Sequence, residues 1–582
     1  MGGERKQCTD CRRRWTTDRN TAGLHRHWTE YPAVIGAELG QWHDPGGIRA
    51  IHHTCSTAAA DHHSMIWLLF ILLLLLGGGD VPAQGLFTAP PNSSSRAFTP
   101  LHTYFMAATG CNDTNPGTSA GAPWCTPNHS MVCGDVIVAA AGNYSSIFNS
   151  GFNWGTVSNC PSTTGGIDGA GGIYFATLLC GGADLEACPI VQSVGGTALA
   201  VMDTNNWAME GFKINGGTST GLRSFECRAT ASGTTIVHHI AIINNVSFNS
   251  RAGFDTNDGV LNHNVPGNGC DYLAVVGNIA QNSAQDTICL AAIDIVAPSF
   301  LDTNAGTHFL VYGNFSYNNT NTCASDVEDY MFDTFDAHGV TNDAVMLNNV
   351  VWTAYRFGLQ VFMQSFNSVN GLHMYIENNT LYNSNRSGNV RIGELNFQLD
   401  MNVGVAPTVL SINNIGLATS SGGCGHLVGG ANGPGTLANV TVGTLGNENV
   451  LFNNGGGSNE CPFNGFSFGT NNFQVDPAFA NLSDLTTNRS GTPNCAGFIN
   501  VTQCMGYNAV TSVLTTLSPV GDLQASCTNC AGKGYQKPSV NCASSGPYHD
   551  LYPIWLKGIV YLHWTGSAVV QNFDLVTLRC GM

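Results

Sequence analysis

IINNVSF (residues 242–248), VVGNIAQ (275–281), VYGNFSY (311–317), MLNNVVW (346–352), IENNTLY (376–382) and SINNIGL (411–417) align on Asn245, Asn278, Asn314, Asn349, Asn379 and Asn414. The spacings between these asparagines are 33, 36, 35, 30 and 35 residues, a regularity that marks a solenoid. Apolar and polar residues alternate on either side of each Asn, as strands with one face in a packed interior require. The Asn falls where the chain turns between strands, and stacked Asn side chains can hydrogen-bond up the column. MEGFKIN (209–215) fits the same frame with Gly211 in place of the Asn, 34 residues before Asn245. A paired-helix array is excluded, because Gly, Asn and β-branched residues fill every unit and no amphipathic run of helical length occurs. The predicted fold is all-β: a single-stranded right-handed parallel β-helix, or β-solenoid, with irregular disulfide-containing ends.

Composition agrees with this and narrows function. Charged residues are 10% of the 582 and Gly numbers 70, which suits tight turns and stacked polar columns. Asp and Glu outnumber Lys and Arg 38 to 21, so the chain lacks the basic stripes that nucleic acid requires, and no nucleic-acid partner is expected.

The leader bears on location. Residues 66–76 (IWLLFILLLLL) form an apolar run followed by three glycines, too short to span a bilayer, and read as the core of a signal peptide. Val81 and Ala83 suit a cleavage site, placing the mature start at Gln84 and the protein outside the cell. Residues 1–64 show no period, and translation is expected to begin at Met65. In the rival reading, 65–83 is an uncleaved signal anchor, the one route to membrane contact. Of 21 cysteines, 18 follow this segment, an even number that suggests disulfides such as Cys180 with Cys188. The lone CTNC at 527–530 reads as a structural bridge, since no second pair supports a zinc site. Thirteen N-x-Ser/Thr sequons after the signal agree with an exported glycoprotein.

YFMAATGCNDTNPGT (104–118), Pro123-Trp124 and CGDVIVAAAGNY (133–144) resemble the entry segment of pectate-lyase-like secreted β-helix proteins. The resemblance covers about residues 104–420. It implies the pectin lyase fold and activity on polysaccharide, without selecting among the chemistries that scaffold carries. The expected organisation is a flexible leader at 84–103, the β-helix at 104–515 and a capping region at 516–582 whose Trp555, Tyr561 and Trp564 pack on the stack. After about Ser420 the Asn pattern dissolves into Gly- and Asn-rich loops. A monomer is expected.

The stretch SDVEDYMFDTFDAHG (325–339) holds the densest chemistry. Strand alternation puts Asp329 and Asp333 on one face and Asp336 with Glu328 on the other. Clustered carboxylates repel unless a cation neutralises them, so Asp326, Asp329 and Asp333 are candidate Ca2+ ligands. Counted from the ladder Asn, Asp286, Asp329 and Arg356 begin the next strand of three successive coils, and Arg386 repeats the offset of Arg356. The resemblance then implies β-elimination on a uronate glycan, with Arg356 as base and Asp286, Asp336, His338, Tyr355 and Arg386 against the substrate. A polygalacturonase-like hydrolase would draw its carboxylates from Asp329, Asp333 and Asp336, and FDTND (254–258) echoes that family's motif. A non-catalytic glycan-binding or adhesive surface protein is the alternative from outside enzymology.

Overall fold

The computed structural model describes the chain between Thr99 and Gln571; residues 1–98 and 572–582 lie outside it, as do several internal segments, the longest being 480–504 and 535–553. The apolar run at 66–76, the proposed cleavage site and Tyr561 therefore lie outside the described residues.

Three parallel sheets of eleven, ten and nine strands carry the fold. One coil shows the plan: Val237–Ile243 joins the eleven-stranded sheet, Val246–Phe248 the ten-stranded and Ala252–Asn257 the nine-stranded. The next coil repeats it with Cys270–Val276, Ile279–Gln281 and Ile293–Val296. Each strand pairs in parallel with its counterparts above and below, as Ile240 does with Leu273 and Val246 with Ile279. Apolar side chains from all three sheets fill the interior, among them Ile214, Phe225, Ile242, Phe254, Val275, Leu359 and Leu381. The expected parallel β-helix is what the sequence folds into. Among the described residues, helix is confined to the short turns Thr528–Cys530 and Ile554–Leu556, and no helix is long and apolar enough to cross a membrane.

The corner between the eleven- and ten-stranded sheets is built from two residues with separate tasks. The ladder Asn takes the second place. Asn314 Oδ1 accepts from the backbone N of Asn278 (2.9 Å), and Asn314 Nδ2 donates to Val275 O (2.8 Å) and to Asn349 Oδ1 (3.1 Å). The same pattern runs from Asn245 to Asn414 and continues through Asn449 and Asn472. The ladder thus outlasts Ser420 by two coils, a correction to the sequence expectation. The first place needs a left-handed backbone, which only Gly and Asn adopt cheaply. It is filled by Gly211, Asn244, Gly277, Gly313, Asn348, Asn378 and Asn413, all with φ between 52° and 84°. Gly211 therefore belongs to this column. Lys213 registers with Val246, so Phe212 is the residue opposite Asn245 and gives its N–H to Asn245 Oδ1.

Six disulfides are present among the described residues: Cys111–Cys125, Cys133–Cys160, Cys180–Cys188, Cys227–Cys270, Cys424–Cys461 and Cys527–Cys530. The Cys180–Cys188 pair and the bridging role of CTNC match the sequence expectation.

The C-terminal region returns down the stack. Gly534 exchanges backbone and side-chain hydrogen bonds with Asn413 and Asn378, and Lys533 Nζ reaches Glu448 at 3.2 Å. Further on, Trp555 and Leu556 lie on the outer face of the eleven-stranded sheet, against Ala241, Ile243, Ala274, Val276 and Leu310. The hairpin of Leu562–Trp564 and Val569–Gln571 packs on Val136, Val138 and Leu179 of the earliest coils. This outer face is apolar because the chain itself covers it. Beneath Trp555, the rings of Tyr174, His239, Tyr272 and His308 stack in that order, with centroids 4.1 to 4.9 Å apart. Burial and the neighbouring His238 and His308 hold His239 well below the ordinary histidine pKa, while His308 Nδ1 meets Asp271 at 2.7 Å.

Candidate functional site

The nine-stranded sheet carries the chemistry that the other outer face lacks. Its interior column runs Phe225, Phe254, Ile293, Tyr330, Leu359, Leu395 in register. Alternation places the next residue of each strand on the opposite face, giving a second column: Glu226, Asp255, Asp294, Met331, Gln360, Asn396. Glu226, Asp294, Gln360 and Asn396 are all buried, at 4% exposure or less. Buried polar atoms ordinarily find partners. Both polar side-chain atoms of Asn396 have no hydrogen-bond partner in the structure.

A third column lies one residue before the interior one and faces the ten-stranded sheet. Ser224 Oγ is bonded there by Ser247 Oγ at 2.7 Å, and Glu394, fully buried, takes a hydrogen bond from Ser384 N at 2.7 Å. Burial raises the Glu394 pKa to about 8, so it is neutral below that pH. Gly358 makes the room: a Cβ there would stand 2.6 Å from Glu394 O and 3.0 Å from Ser384 Oγ. Burial and the proximity of Glu394 also raise the Tyr382 pKa.

The expected acid-rich strand, Glu328–Thr334, lies in the middle of this sheet between Ile293–Val296 and Phe357–Gln364. Asp333 registers with Val296 and Phe362. Asp329 precedes Tyr330 by one residue, the register place of the third column, whose described side chains Ser224, Ala292 and Glu394 are buried. Ile293 stands opposite Tyr330 and Tyr330 opposite Leu359, while the connection that precedes the strand changes length, from 249–251 in one coil to 282–292 in the next. The common register expected for Asp286, Asp329 and Arg356 involves residues outside the described ones. Asp286, Asp326, Asp336, His338, Tyr355, Arg356 and Arg386 lie outside the described residues, as do the side chains of Asp329 and Asp333. Among the described residues, no three His, Cys, Asp or Glu side chains come together to hold a metal ion.

Sequence reasoning missed Glu226 and Asp294, and met Asp255 only within the FDTND echo. The signal was available as acids flanked by strand residues in FEC (225–227), FDT (254–256) and IDI (293–295), once these strands are aligned on each other instead of on the ladder Asn.

No protein-family model and no curated protein matches the chain. Among solved structures it is similar to a GH136 lacto-N-biosidase from Eubacterium ramulus, at 9% identity and a TM-score of 0.27, covering 64% of this chain and 68% of that one. It is also similar to the pectate lyase Pel9A, at 11% identity and a TM-score of 0.28, covering 78% of this chain and 96% of that one. At such values the β-helix rests on the chain's own three sheets.

Proposed function

We propose that the chain is an exported β-helix protein that cleaves an acidic polysaccharide by β-elimination, working on the outer face of the nine-stranded sheet. The observation that carries this is the placement of the acid-rich strand Glu328–Thr334 at the centre of that sheet, with Arg356 leading directly into the next strand, whose Phe357 registers with Glu328. Elimination needs a base for the proton beside the uronate carboxylate, and Arg356 is assigned that role. An arginine base must be held away from its ordinary, fully charged state, which makes the surroundings of Arg356 part of the mechanism. Calcium on Asp326, Asp329 and Asp333 belongs to the same proposal, and no step above passes through it. Export is inferred from the six disulfides, which persist in oxidising compartments.

The test is ultraviolet absorbance of unsaturated product from pectate and alginate, with calcium or with chelator, for the protein and its Arg356→Ala variant. A signal lost in the variant supports elimination, and its loss on chelation would assign calcium as well. Absence of the signal from every substrate would reject elimination.

One observation favours a second reading, hydrolysis. Glu226, Asp255 and Asp294 occupy one register position in successive coils. Strands about 4.8 Å apart set neighbouring carboxylates at roughly the separation of a retaining pair and alternate ones near that of an inverting pair. New reducing ends without the ultraviolet signal, abolished by Asp294→Asn, would establish it.

A further inference from the structure

The stack ends in a pocket. Among the described residues its last strands are Ser458–Pro462 in the nine-stranded sheet and Asn472–Phe473 in the ten-stranded. In register, Leu359 and Leu395 are followed toward this end by His426 and then Glu460. Over Glu460 lies a cavity of about 500 Å³, lined by Ser458, Asn459, Phe466, Phe468 and Gln474 among others, a volume within the range of small-molecule sites.

The polar groups here are held in fixed places. Asn472 Nδ2 donates to Glu460 Oε1 at 2.8 Å and Gln474 Nε2 donates to Glu460 Oε2 at 2.9 Å. Asn459 Nδ2 leans on Gln474 Oε1 at 3.4 Å, while its Oδ1 accepts from Asn453 N at 2.8 Å. Each carboxylate oxygen still has a lone pair, and the amides of Gln474 and Asn459 each have a second N–H. Acceptors and donors therefore lie side by side, the pattern a sugar hydroxyl satisfies by doing both. Phe466 and Phe468 are half-buried against the main core and set edge to face, with centroids 5.1 Å apart. They offer an apolar surface to the C–H face of a pyranose. Among the described residues the lining holds a carboxylate and no Lys or Arg, so a uronate or phosphate would meet repulsion.

We propose that this end pocket binds a neutral pyranose residue, at a place separate from the outer face of the nine-stranded sheet. The proposal stands whether or not the chain cleaves polysaccharide.

The experiment is saturation-transfer NMR and calorimetry on the whole protein with methyl glycosides of glucose, galactose, mannose and xylose, and with glucuronate as the charged control. The expected result is binding of at least one neutral glycoside, with glucuronate weaker by about tenfold or more. Phe468→Ala and Gln474→Ala should each weaken it by a similar factor. Gln474 is exposed, so its variant keeps the fold, and an unchanged melting temperature with lost binding would isolate the pocket. Failure of every neutral glycoside to bind, equal binding of glucuronate, or binding indifferent to Gln474→Ala would each overturn the proposal.

Discussion

The corner that holds the Asn ladder and the outer column of the nine-stranded sheet are both single files of residues stacked one per coil, yet they behave in opposite ways. The corner repeats: Asn follows Asn from Asn245 to Asn472, each giving its backbone N–H to the side-chain oxygen of the next. The outer column varies, passing from Glu226 through Asp294 and Gln360 to Asn396. A regular stack needs identity only where neighbouring coils bond to each other through side chains. In the outer column the strands keep register while the residue type changes from coil to coil, and chemistry can be written there.

The largest effect should follow from breaking the repeating file. Asn314→Ala removes the acceptor of Asn278 N and the donor to Val275 O, leaving buried polar groups unpaired. At roughly 1–3 kcal/mol for each such group, a loss of about 3–5 kcal/mol is expected, measured by denaturant unfolding. Asp294→Asn in the varying file keeps the side chain's shape and should shift the same midpoint far less while abolishing any hydrolysis. A comparable loss of stability in both would show that the outer column is structural after all.

The contrast sharpens at two carboxyls whose burial no sequence pattern marks. Glu377 and Glu394 are buried carboxyls whose pKa values are raised from 4.5 to about 8 by desolvation. Between those values the folded chain keeps a proton that the unfolded chain releases, so their contribution is fully present below about 4.5 and is lost as pH rises through about 8. The protein should therefore melt higher at mildly acidic than at mildly alkaline pH. Glu394→Gln, which keeps the neutral shape, should flatten that slope and raise the melting temperature near neutrality by roughly a few degrees. A steeper slope in the variant would mean that the Glu394 charge is compensated.

The same contrast explains what could be seen in the sequence alone. Six ladder asparagines at near-constant spacing were enough for the fold, because their hydrogen bonds require that residue at that place. Asn449 and Asn472 were missed because the loops around them are rich in Asn and Gly and hide the period. The shared register of Glu226, Asp255 and Asp294 is hidden from a count that starts at the ladder Asn, because the connections before each strand vary from three residues to eleven. The return of the tail onto the eleven-stranded sheet was legible only as aromatic residues, since nothing in Trp555 states that its indole N–H will find Thr307 O at 2.9 Å.

The smallest predicted effect tests whether the corner's first place asks for a residue or only for a backbone conformation. Gly277, Gly313, Asn348, Asn378 and Asn413 alternate there without pattern, at φ from 52° to 67°. If conformation alone is selected, Gly277→Asn should change stability by no more than about 0.5 kcal/mol. Gly277→Val, which cannot adopt that φ cheaply, should cost about 1–2 kcal/mol or more. The second place, one residue on, admits no such exchange, because Asn278 is held by its side chain, bonded to Ile242 O at 2.8 Å and to Asn314 Oδ1 at 3.0 Å. Equal tolerance of Asn and Val at position 277, read from paired unfolding curves, would mean that the left-handed turn is not what the alternation of Gly and Asn preserves.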